Sequence, residues 1–166
     1  MTIFGKSLSE YITFARVFLV LILTAGVIRL VLSLNGVPNA TTKWFTMTGL
    51  VWIGVVYLSI RVHTSGFGSY KQLLVICALM DWAAQAIAVI GIAIAINTGT
   101  NNVFSSPEFA FGGDGKTWIH LASHLVIGTT FGALIPWGIG SAILALTRKR
   151  TRKFSDFNAT TSMERS

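Results

Sequence analysis

The sequence predicts an all-α integral membrane protein, a bundle of four transmembrane helices with both termini on the cytoplasmic side. The chain has 166 residues, of which 52% are hydrophobic and only 11% are charged, and its mean hydropathy is +0.66. Soluble domains carry about 25% charged residues, so this composition is that of a membrane protein. Four segments are also long and apolar enough to cross ~30 Å of hydrocarbon as helices.

These segments predict the organisation of the whole chain. The four spans lie at about 11–34, 44–62, 72–97 and 118–147, and together they make residues 1–147 a transmembrane domain. Helices are expected because a lipid-exposed backbone must satisfy its own hydrogen bonds. Ser7 and Glu10 have the spacing of a capping box ahead of the first span. Residues 98–117 form a long outer loop, and residues 148–166 form a basic tail that we expect to be disordered.

The positions of lysine and arginine predict the orientation, because basic residues are enriched in cytoplasmic segments. The tail carries five of them: Arg148, Lys149, Arg150, Arg152 and Lys153. Arg61 and Lys71 flank the link between spans two and three, whereas the other two links each carry one lysine. We therefore expect both termini in the cytoplasm, most simply in a bacterial cytoplasmic membrane. The tail could also bind anionic lipid headgroups, although we favour a positive-inside signal as its explanation.

Several classes of site are excluded by the residues themselves. A single cysteine, Cys77, allows neither an intramolecular disulfide nor a cysteine metal cluster. No Walker A, GxGxxG, GxSxG or CxxC stretch occurs, and no nucleic-acid recognition motif accompanies the positive charge. An enzyme is therefore not the expected class, and nucleic acid is not an expected partner.

His120 and His124 are the first candidate site. Side chains four residues apart lie on one helix face with Cβ atoms about 5–6 Å apart, so both rings could reach one metal ion. Asp114 and Glu108 in the preceding loop could add oxygen ligands. The zinc-protease motif HExxH is absent. One helix cannot supply both axial ligands of a haem, so a b-type haem would need a partner such as Met47. The alternative is that the pair is packed or interfacial polar structure.

A row of small residues continues from this pair into the fourth span. Gly128 and Gly132 form a GxxxG sequence, which lets a neighbouring helix approach closely. They follow His120 and His124 at four-residue steps, so the histidines are expected on the packed side of the span. A chance occurrence in a glycine-rich apolar segment is the alternative.

Asp81 is the second candidate site, because it lies near the middle of the third span. A charged carboxylate at that depth costs roughly 2.5–3.5 kcal/mol on the insertion scale. Gln85 follows four residues later on the same face. One interpretation is a structural ion pair with Arg16 in the first span, and the other is a proton or cation site.

Three functions remain open at this point. The leading one is a structural or accessory subunit of a larger membrane assembly, or a homo-oligomer, whose partners are the lipid bilayer and other membrane chains or itself. The second is a haem- or metal-binding redox protein at the His120 and His124 end. The third is a small proton or ion translocator centred on Asp81.

Overall fold

The computed structural model describes residues 2–42, 46–110 and 112–163, with side chains up to residue 154. A short hairpin of β1 (Thr2–Ile3) and β2 (Lys6–Ser7) leads into the helical part of the chain. The helices are α1 (Leu8–Leu34), α2 (Asn39–Thr42), α3 (Met47–Thr64), α4 (Tyr70–Thr98), α5 (Trp118–Ser123) and α6 (Thr129–Met163).

The expected set of four long apolar helices is confirmed. The segments long and apolar enough to cross a membrane are Leu8–Leu34, Asn39–Thr64, Tyr70–Thr98 and Trp118–Phe154. The predicted start of the second span, at residue 44, lies outside the described residues. Four crossings of the bundle place the beginning of α1 and the end of the last span at the same end of the molecule.

The capping box at the start of α1 is also confirmed. The Ser7 hydroxyl accepts a hydrogen bond from the Glu10 amide at 3.3 Å, and the Ser7 amide donates to the Glu10 carboxylate at 2.7 Å. Both amides would otherwise be unpaired in the first helical turn. The Tyr11 hydroxyl donates to the Ile3 carbonyl at 2.9 Å, which holds the hairpin against α1.

Helix α4 lies at the centre of the bundle. Helices α1 and α6 pack mainly on α4 and α3, and α3 and α4 also contact each other. The largest side chains with no exposed surface come from all four spans: Tyr11, Ile22, Leu58, Leu73, Ile76, Met80, Ile92 and Leu144. The core is therefore a continuous apolar column around α4.

The long segment between α4 and α5 is partly folded back onto the bundle. The Asn102 side-chain amide donates to the Gly91 carbonyl at 2.7 Å, and the Val103 amide donates to the Ser33 hydroxyl at 2.7 Å. Phe104 covers Gly91 so closely that a Cβ there would lie 2.6 Å from the ring. Only glycine fits, so this segment is fixed to α1 and α4.

The last helix is longer than the sequence predicts. We expect disorder from residue 148, whereas α6 continues through Met163. The physical reason is that the chain has no glycine or proline after Gly140, so no residue that commonly ends a helix interrupts it.

Candidate functional site

A short row of polar side chains lies between α4 and α6. Asp81 is only 5% exposed, and Gln85, one turn further along α4, donates to its Oδ1 at 3.4 Å. That distance makes the hydrogen bond long and weak. The second oxygen, Oδ2, is buried and has no hydrogen-bond partner among the described residues. Asp81 is therefore only partly satisfied in the interior.

Two glycines of the last span make room for this row. A Cβ added at Gly132 would overlap the Asp81 carboxylate, and one added at Gly128 would lie 3.0 Å from the Gln85 side-chain amide. The GxxxG face thus lies against α4 of the same chain. Since these glycines contact α4 of the same chain, they do not themselves support an interface with a second chain.

The row continues with His124, which contacts Gln85 on the side away from Asp81. Its Nδ1 lies 2.7 Å from Oε1 of Gln85, and an amide oxygen can only accept, so Nδ1 carries the proton and donates. The amide nitrogen of Gln85 then points at Asp81. The assigned amide orientation suits both neighbours at once, as the side chain accepts from an imidazole and donates to a carboxylate.

His120 occupies the next position beyond His124. Its Nδ1 donates to the Gly115 carbonyl at 2.9 Å, and its ring centroid lies 5.0 Å from that of His124. His120 is 7% exposed, and its Nε2 is buried without a hydrogen-bond partner among the described residues. A neutral imidazole that donates from Nδ1 has a free lone pair on Nε2, so this atom can accept a hydrogen bond.

A π turn at His124–Gly128 keeps these residues on one side of the helix. The Thr129 amide bonds to the His124 carbonyl five residues back, which takes one extra residue into the turn. In a regular α-helix each four-residue step rotates the row forward by about 40°. The extra residue in the π turn reverses part of that rotation. His124 can therefore contact Gln85 while Gly132 still lies against Asp81.

Two cavities adjoin the polar row. One of about 260 Å³ is lined by Asp81, Trp52 and Pro136, and one of about 140 Å³ is lined by His124, Met47 and residues around them. Both are also lined by Gln85, so its side chain lies at their common boundary. A water molecule takes up ~30 Å³ in the liquid, so each volume suffices for a few waters beside polar groups.

The polar row ends at Asp81. Towards the Tyr70 end of α4, the side chains that pack inwards are apolar or weakly polar and have no exposed surface: Leu73, Ile76, Cys77 and Met80. On α4, no residue on the Tyr70 side of Asp81 lines either cavity. The cavities therefore border α4 from Asp81 to Ala88, whereas its half towards Tyr70 is tightly packed.

The expected ion pair between Asp81 and Arg16 is wrong. Arg16 lines a hollow with Lys6, Glu10 and Arg61 at the N-terminal end of α1, where it is exposed. The reason is the rotation of α1: Ala15 is fully buried, so its neighbour Arg16 faces away from the core.

The proposed metal set does not come together. Asp114 accepts from the Lys116 amide at 2.9 Å, and Glu108 accepts from the Asn39 side chain at 3.3 Å, so each is held elsewhere in the loop. The described residues contain no group of three or more histidine, cysteine, aspartate or glutamate side chains that could hold a metal ion. Metal binding at His120 and His124 is therefore not supported.

Haem binding is not supported either. Met47 does share the 140 Å³ cavity with His124, as its expected depth suggests, but its sulfur lies against Gly26. Neither cavity of the polar row reaches the ~300 Å³ at which small-ligand pockets begin.

The basic residues of the tail differ in their surroundings. The Arg148 guanidinium lies 4.9 Å from the Tyr70 ring centroid and 3.5 Å from the Gly68 carbonyl. It therefore packs against the start of α4 and the residues just before it. The other four lie further along the helix and are all exposed: Lys149, Arg150, Arg152 and Lys153.

The contact between Gln85 and His124 was not expected from the sequence. One signal could have indicated it: Asp81 and Gln85 have the same four-residue spacing as Gly128 and Gly132, so two antiparallel helices can match them in register. No sequence pattern indicates the π turn at His124–Gly128. Comparison of the chain with protein-family models, characterised proteins and solved structures gives no significant match.

Proposed function

We propose that this chain is a multi-pass membrane protein that takes up a proton at Asp81 from the His120 end of the bundle. The observation that carries the proposal is the hydrogen-bonded row from His124 through Gln85 to Asp81, with one carboxylate oxygen left unpaired among the described residues. The positive-inside pattern favours cytoplasmic termini and therefore a His120 end on the outer side.

The depth of Asp81 supports a proton as the ligand. It lies eleven residues from Tyr70, or about 17 Å along α4, near the middle of a ~30 Å hydrocarbon layer. A charged carboxylate costs roughly 2.5–3.5 kcal/mol there. Transfer of a proton from hydronium gives water and a neutral acid, which removes that cost. No arginine or lysine offsets the charge among the described residues that contact it.

The histidines and the cavities suit proton entry from one side. Waters in the two cavities, which Gln85 borders on both sides, can carry a proton from beside His124 to Asp81. The Gln85 amide does not itself pass the proton, because an amide does not readily release the protons of its N–H bonds. Its role is to position His124 and Asp81.

The closed side makes a continuous channel unsuitable. Beyond Asp81, Leu73, Ile76 and Met80 have no exposed surface, so the hydrogen-bonded row does not continue along α4 towards Tyr70. Release to that side requires α4 and α6 to shift against each other, so we propose slow, conformationally coupled proton movement. Such a chain could serve as the proton-binding subunit of a larger membrane assembly or of a homo-oligomer.

Proton flux in liposomes tests this function. We expect the reconstituted protein to acidify vesicles faster than protein-free controls, and Asp81→Asn to return the rate to that background. Asp114→Asn is the matched control, because it also removes one carboxylate but lies in the loop, where its contact is the Lys116 amide. Equal rates for the wild type and Asp81→Asn would refute the proposal.

A further inference from the structure

We propose that the hollow between the start of α1 and the end of α3 binds the phosphate headgroup of an anionic phospholipid. This site lies at the opposite end of the bundle from His120 and is separate from the proton site. Its lining includes Lys6, Glu10, Phe14, Arg16, Arg61 and Phe67. Its volume is about 500 Å³, within the ~300–1,000 Å³ range of small-ligand pockets.

The charges around the hollow favour an anion. Three cations line it, and the only carboxylate in its lining, Glu10, is already bonded to Lys6 at 3.2 Å and to the Ser7 amide at 2.7 Å. Arg16 and Arg61 therefore have no carboxylate partner among the described residues. Two uncompensated guanidinium groups can bind the oxygens of a phosphodiester in bidentate fashion.

Aromatic rings fix part of this arrangement. The Arg61 guanidinium lies 5.0 Å from the Phe14 ring centroid, and Phe14 stacks on Phe67 at 3.9 Å. Lys6 lies over the other side of the cluster, 4.7 Å from the Phe67 centroid. Lys6 and Arg61 are thus held at the edge of the hollow by cation–π contacts before any anion binds.

The hollow continues into an exposed apolar track suited to an acyl chain. Arg16 is the ninth residue of α1, about 12 Å from its first residue, where a long side chain can still reach the interface. Beyond it, Val17, Val20 and Leu21 are 57%, 62% and 44% exposed and share one helix face. A headgroup beside Arg16 with its chain along this face would account for an arginine two turns inside an apolar helix.

Lipid binding to the full chain in detergent tests the proposal. We expect short-chain phosphatidylglycerol to bind and phosphatidylcholine not to bind. Each cation near an anionic headgroup contributes roughly fivefold in affinity, so the double variant Arg16→Gln, Arg61→Gln should bind roughly 25-fold more weakly. Both side chains are exposed, and unchanged circular dichroism will show that the variant is folded.

Three controls separate binding in this hollow from binding elsewhere on the chain. Arg150→Gln with Arg152→Gln removes the same charge from the exposed tail and should leave the affinity unchanged. The variant Arg16→Lys, Arg61→Lys keeps the charge and should bind better than the glutamine variant. An equal loss in the tail variant would overturn the proposal, and so would equally tight binding of inorganic phosphate, which would indicate a free-anion site. Because Asp81 is unchanged in all of these chains, the outcome is independent of the proton-flux test.

Discussion

The two halves of α4 have different surroundings. The half from Asp81 to Thr98 carries a polar row, two cavities and two glycine contacts with the last span. The half from Tyr70 to Met80 buries Leu73, Ile76 and Cys77 without exposed surface. One half of α4 thus borders polar groups and cavities, whereas the other half is apolar and tightly packed. Polar residues inside an apolar bundle therefore need not form a pore, since here they stop halfway.

The accessibility of cysteines would show the largest difference between the two halves. Native Cys77 lies in the sealed half, and Ala84 lines both cavities of the open half. We expect a water-soluble thiol reagent to modify Ala84→Cys, made in a Cys77→Ala background, and to leave native Cys77 unmodified until the protein is denatured. The measurement is the labelled fraction over time, by mass spectrometry. Equal labelling rates would remove the distinction between the halves.

A methyl group at the glycine contact should have the next largest effect. Gly132→Ala places its Cβ on the Asp81 carboxylate, and overpacking of this kind costs about 1–3 kcal/mol of the free energy of unfolding. Gly138→Ala is the matched control in the same helix, since a Cβ there meets nothing within 4 Å. We expect that variant to gain about 0.5–1 kcal/mol through helix propensity. Thermal or denaturant unfolding in detergent gives both values, and similar effects at the two glycines would contradict the close contact.

Removing the middle of the polar row should have a smaller effect on stability. Gln85→Leu takes away the acceptor of His124, at about 0.5–1.5 kcal/mol, and the long hydrogen bond to Asp81, which contributes less. The proton flux should fall by a larger proportion than the free energy of unfolding, because His124 and Asp81 both lose the hydrogen bonds that position them. Asn97→Leu is a control on the same helix, where an exposed amide bonds to the Ala93 carbonyl of its own helix. A Gln85→Leu chain with wild-type flux would show that the row is purely structural.

The sequence predicts the long helices better than their rotation. Apolar run length specifies where a helix can cross ~30 Å, and the Ser7 and Glu10 pair specifies where α1 begins, so both features follow from local chemistry. Which face of α1 packs inwards depends on neighbours distant in sequence. An almost uniformly apolar helix carries no periodic signal for that face, and the expected pairing of Arg16 with Asp81 is therefore wrong.

The sequence predicts which polar residues belong to the candidate site, but it does not predict which hydrogen bonds join them. Asp81, Gln85, His120 and His124 all stand out as polar residues in or beside apolar spans. The bond from Gln85 to His124 joins residues 39 apart and depends on a π turn, which no residue pattern indicates. The carboxylates of Asp114 and Glu108 do not join the histidines, because Asp114 accepts from the Lys116 amide and Glu108 accepts from Asn39 of α2.

Infrared difference spectroscopy of the reconstituted protein, recorded as the pH is lowered, tests the central claim most directly. A protonated Asp81 whose Oδ2 has no partner among the described residues should give a carboxylic-acid C=O band at higher frequency than the bands of exposed carboxyl groups. We expect this band in the wild type and in Asp114→Asn, with a shift in D₂O, and its loss in Asp81→Asn. A band that persists in Asp81→Asn, or a wild type without any such band, would contradict proton uptake at Asp81.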